Sequence, residues 1–82
     1  MPVAPAELTA HFRIEGPEGA RAAALAAVEP SGLAREAGPG ELMLAGGRPE
    51  VLAALGDAVA AALDAGAHGV DAHLEAPTEA RP

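Results

Sequence analysis

Polar and apolar positions alternate along Leu8-Thr9-Ala10-His11-Phe12-Arg13-Ile14-Glu15, with Leu8, Ala10, Phe12 and Ile14 on one face and Thr9, His11, Arg13 and Glu15 on the other. A period of two is that of a strand with one buried face. Gly16-Pro17-Glu18 then opens an Ala-rich segment through Val28, which predicts a first helix with strong propensity but little area to bury. Pro30-Ser31-Gly32 stops it. Leu33-Ala34-Arg35-Glu36-Ala37 has the weak pattern of a short edge strand, and Gly38-Pro39-Gly40 is turn chemistry. Beyond that turn, Glu41-Leu42-Met43-Leu44-Ala45 is apolar enough for an internal strand.

Arg48-Pro49-Glu50 opens the longest helical signal, since proline is tolerated at a helix start and Glu50 suits its positive first turn. Val51, Leu52, Leu55, Val59 and Leu63 fall on one stripe of a 3.6-residue period, so this stripe is expected to face the core. Gly66 supplies the left-handed position that closes many helices, and His68-Gly69 turns the chain. In Val70-Asp71-Ala72-His73-Leu74-Glu75 the period is two again, predicting Val70, Ala72 and Leu74 buried and Asp71, His73 and Glu75 facing outward.

Strand, helix, strand, strand, helix, strand is the order of an α+β, ferredoxin-like βαββαβ two-layer sandwich: a four-stranded antiparallel sheet with two helices on one face. Right-handed crossovers put the first and third strands at the centre, the fourth beside the first and the second at the far edge. The other face of the sheet is left uncovered. The two halves also form a loose repeat, each with a Pro-Glu helix start, a helix, a glycine and an alternating segment. The 82 residues suffice for one domain, with an expected ordered core of about 8–76, a lead-in from Met1 to Glu7 and a flexible tail at 77–82.

Composition narrows the function. With one Phe and neither Trp nor Tyr, an Ala-rich core has little apolar area, and self-association into a homo-oligomer is the expected supplement. A net charge of −7 disfavours nucleic acid and anionic membranes as partners and favours a cationic or neutral ligand. The absence of Cys excludes disulfides, thiolate catalysis and Cys-ligated zinc, and the absence of Lys excludes Schiff-base chemistry. Ser31 and Thr9 have no evident base beside them, so a hydrolase triad is not expected and the chain reads as a non-enzyme. Neither Gly38-Pro39-Gly40 nor Gly46-Gly47 has the spacing of a phosphate-binding loop. With no signal segment and no run of about eighteen apolar residues, the expected compartment is the cytoplasm.

Ser31-Gly32-Leu33, Gly38-Pro39, Gly46 followed by Glu50-Val51, and Ala65-Gly66-Ala67-His68 before a final alternating strand together resemble the YkoF-type family, which binds thiamine or its hydroxymethylpyrimidine moiety. The resemblance runs from about Leu8 to Glu75. It implies a small, non-catalytic, oligomeric protein that holds a thiamine-related molecule. The chain departs from the family where small hydroxyl residues usually follow the Gly-Pro turn, having Glu41, Leu42, Met43, Leu44 and Ala45 there, so no binding residue is carried over.

The candidate ligand-binding residues come from the uncovered face instead: Thr9, His11, Glu15, Glu41, Met43, Asp71 and His73. The first and fourth strands are expected to be neighbours, with cross-strand partners about 5 Å apart, which brings two imidazoles among carboxylates. Three readings follow. One is a ligand site for thiamine or hydroxymethylpyrimidine at the open face or a subunit interface, with no resident cofactor. Another is a self-assembling structural or regulatory protein without a small ligand. The third is a metal-binding module through His11 and His73, residues of a type that suits zinc or a similar ion.

Overall fold

The computed structural model describes residues 7–35, 37–38 and 40–76. The elements are β1 (Leu8–Glu15), α1 (Glu18–Val28), a 3-10 turn (Glu29–Ser31), β2 (Ala34–Arg35), β3 (Leu42–Gly46), α2 (Arg48–Asp64) and β4 (Gly69–Glu75). The strands form one antiparallel sheet in the order β2-β3-β1-β4. This is the expected ferredoxin-like arrangement. The expected lead-in and tail, Glu36 and Pro39 lie outside the described residues, apart from Glu7. That residue is tied down, because its carboxylate accepts the Arg48 N–H at 3.0 Å and so caps the positive end of α2.

The core forms between the helices and one face of β1 and β3. Leu8, Ala10 and Phe12 from β1 and Leu42 and Leu44 from β3 are buried, as their alternation requires. From the helices come Ala20, Ala24 and Val28 of α1 and Val51, Ala54, Ala58 and Ala62 of α2. Leu25, Leu33 and Leu55 pack on its margin.

Three expectations change. The stripe of α2 that meets the core is Val51, Ala54, Ala58 and Ala62, with Leu52 and Leu63 left about half exposed. Alanine on both helices lets α1, α2 and the sheet approach closely, and interaxial distance follows the side chains at the contact. The larger leucines would hold them apart. Second, Ala72 and Leu74 of β4 are exposed although their side chains share the helix face of the sheet, and Val70 is only half-buried. Neither helix extends over this edge. Third, the expected strand at Leu33 to Ala37 is reduced to Ala34–Arg35, with Leu33 still accepting the Ala45 N–H at 3.0 Å.

Turn chemistry sets the junctions. Ser31 Oγ donates to the Val28 carbonyl at 2.6 Å and accepts from the Leu33 N–H at 3.1 Å, while Gly32 takes φ 73°. Ser31 is thereby a capping residue. At the end of α2, Gly66 N–H bonds the Leu63 carbonyl and Ala67 N–H the Ala62 carbonyl, with Gly66 at φ 104°. That pair of bonds is the Schellman closure. Among the described residues no helix is long and apolar enough to cross a membrane.

Candidate functional site

The uncovered face of the sheet is built by the odd-numbered residues of β1 and their partners. Register places His11 between Met43 and His73, Arg13 opposite Asp71, Thr9 between Ala45 and Glu75, and Glu15 opposite Gly69. Arg13 therefore sits in a carboxylate frame, with Asp71 across on β4 and Glu41 Oε2 at 3.5 Å on the other side. Glu41 is held from behind as well. Its carbonyl accepts Arg21 Nη2 of α1 at 3.4 Å, and its N–H bonds the Gly38 carbonyl at 3.1 Å across a turn in which Gly40 takes φ 77°. A non-glycine residue would be strained at that φ.

A second group lies one step along the strands. Glu75 reaches towards both imidazoles, with His73 Nε2 at 3.5 Å and His11 Nε2 at 3.9 Å. These are ion pairs only with protonated rings, and they are solvated, so they contribute little to stability. His11 is the less exposed of the two, lying on the central strand beside half-buried Met43.

Between the two groups is an open hollow of about 290 Å³, lined by His11, Phe12, Arg13, Glu41, Asp71, Ala72 and His73. Of the residues expected from sequence, His11, Glu41, Asp71 and His73 are brought together here. Thr9, Glu15 and Met43 share the face without lining the hollow; Glu15 instead folds over Gly69. Arg13 was legible as an outward residue of β1, but its place as the cation between two carboxylates came only from register. Among the described residues no three His, Asp or Glu side chains are gathered to hold a metal ion. His11, His73 and Glu75 stand near one another without converging as such a set.

No family model matches the chain, and no curated protein matches it. Among solved structures, a domain of unknown function, DUF77, from Bacillus cereus is similar, with 24% identity over 88% of this chain and 75% of that one and a TM-score of 0.66. The shared feature is the ferredoxin-like fold. It accounts for the sheet order, the two helices on one face and the bare opposite face, and it carries no ligand with it.

A second hollow, of about 430 Å³, lies where the end of α1 meets the start of α2, between Ala27, Pro30, Ser31 and Leu33 on one side and Glu50, Ala53 and Asp57 on the other. No motif marks it along the chain, because it arises from the meeting of two helix ends. Its lining has two carboxylates and no cation, and Ser31 is already engaged in capping.

Proposed function

We propose that the chain is a small non-catalytic binding protein that holds a heteroaromatic, cationic ligand of the thiamine class on its open sheet face. The observation that carries this reading is the hollow in which His11 and His73 stand side by side, flanked by Glu41 and Asp71. Imidazoles and carboxylates supply the donors and acceptors that a pyrimidine edge requires, and carboxylates offset a thiazolium charge through charge-assisted contacts. At about 290 Å³ the hollow is at the small end of ligand sites, which run from roughly 300 to 1,000 Å³. Room for one ring favours the hydroxymethylpyrimidine moiety as the part held there. The acidic balance of the chain, −7 overall, favours approach of a cation.

Titration calorimetry with thiamine and with hydroxymethylpyrimidine tests the reading. Binding of either, weakened at least tenfold when His11 and His73 are both replaced by Ala, is the expected result. A wild-type protein that binds neither compound overturns it.

A further inference from the structure

The two edges of the sheet are unlike. At one, β2 has only two residues, and such a short strand offers little to a neighbour. At the other, β4 runs from Gly69 to Glu75 with no proline, and among the described residues nothing pairs with its outer side. Its side chains on the helix face, Val70, Ala72 and Leu74, stand outside the core cluster. An unpaired seven-residue edge with uncovered apolar side chains is a template for pairing.

The direction of the free backbone groups follows from the registers. Ala45 donates to Leu33, so Ala45 and Met43 turn their N–H and C=O groups towards β2. Leu44 and Leu42 then turn theirs towards Ala10 and Phe12 of β1, and Thr9, His11 and Arg13 face β4. On β4, Glu75, His73 and Asp71 are thereby bound to β1, and Val70, Ala72 and Leu74 present their N–H and C=O groups to the outside.

We infer that the occupant of this edge is a second copy of the same chain, paired β4 to β4 antiparallel about a twofold axis at Ala72. Charge and the length of strand overlapped together select that register. With Ala72 opposite Ala72, Asp71 lies across from His73 of the partner subunit on the open face, twice, and Val70 lies across from Leu74 of the partner subunit on the helix face, twice. Centring on Asp71 would set two carboxylates against each other, and centring on His73 would set Asp71 against Glu75. The Ala72 register joins opposite polar types, matches the outward backbone groups and overlaps all of β4, whereas centring on Leu74 would face His73 with Glu75 but pair only residues 73–75 of the strand; about Ala72, the Ala72 pair and both Val70–Leu74 pairs exchange N–H···O=C bonds.

The helices agree with this axis. α2 crosses from β3 to β4, so it lies on the β4 side of the helix layer, with Glu50, Ala53 and Asp57 turned to α1. Its half-exposed Leu52 and Leu63 are on the opposite flank, and Leu74 is 40% exposed. A twofold normal to the sheet brings the flanks of the two copies towards each other over the joined strands. The dimer is one continuous sheet with its open face uninterrupted, and its two hollows lie on either side of the axis. The inference concerns assembly and does not rest on the ligand reading.

Sedimentation velocity on the intact chain at tens of micromolar is the test, with circular dichroism as the check on folding. The wild type is expected to be dimeric. Ala72→Pro removes an N–H that points away from β1, a position where an edge strand accepts proline, and should give a folded monomer. His73→Glu should weaken the dimer roughly tenfold by facing Asp71 with a like charge on both sides of the axis. Adding Asp71→Arg to His73→Glu should restore it. A monomeric wild type, or a dimer whose affinity is unchanged in both His73→Glu and a folded Ala72→Pro, overturns the proposal; should Ala72→Pro not fold, the loss and rescue by the charge pair decide it.

Discussion

Replacing Leu44 by Ala should remove a large share of the stability of the domain. Leu44 is fully buried at the centre of β3, and among the described residues Phe12, Val28 and Val51 are the comparable large enclosed side chains. Losing three carbons at about 0.8 kcal/mol each costs roughly 2.4 kcal/mol in transfer free energy. The cavity adds to this. Much of the surrounding cluster is alanine, namely Ala10, Ala20, Ala24, Ala54, Ala58 and Ala62, and a methyl group cannot swing into the space. A total of about 3–5 kcal/mol is therefore expected, at the upper part of the range for such changes. For a chain of this length total stability is of the order of 4–12 kcal/mol, so the variant should unfold at much lower urea concentration or be partly unfolded without it. The chain has no Trp or Tyr, which makes far-ultraviolet circular dichroism the suitable probe, at one fixed protein concentration. Met43→Ala, the neighbouring position on the opposite face, serves as the control and should cost about 1 kcal/mol or less, since Met43 is only half-buried. Equal losses for the two variants, or a Leu44→Ala change under about 1 kcal/mol, would refute the assignment of faces on β3.

Two further substitutions probe features that packing decided. Ala58→Leu, close to neutral by helix propensity, should destabilise by roughly 1–3 kcal/mol because Ala58 is fully enclosed; a neutral or stabilising effect in urea unfolding would place another face of α2 on the core. Gly16→Ala should cost more than about 1 kcal/mol, because Gly16 has φ 151° and an added Cβ would lie 2.8 Å from Ala67 Cα, a backbone atom with no freedom to swing aside; an unchanged melting temperature would contradict the close approach of the two turns.

The open-face residues were legible because a strand has only two sides. Once Leu8, Ala10 and Phe12 identify the buried side of β1, Thr9, His11, Arg13 and Glu15 must take the other. Which of them share a hollow was not legible. That depended on register between segments far apart in the chain, such as Arg13 with Asp71 and His11 with both Met43 and His73. Loop length and turn geometry fix such a register, and a one-residue slip would turn every side chain to the other face.

By itself the sequence determined the element order, the turns at Gly32 and Gly66, and the buried face of β1, since local backbone preference and a period of two leave few alternatives. The rotation of α2 and the exposure of β4 were decided only in the tertiary structure. Val51 to Leu63 is apolar or small at every position except Asp57, so several stripes could have faced inward, and the size of leucine pointed to the wrong one. The helix turned its alanines in because two Ala-lined helices and a sheet can approach closely there, while β4 lies beyond their reach and keeps an apolar face that no local pattern could show to be uncovered.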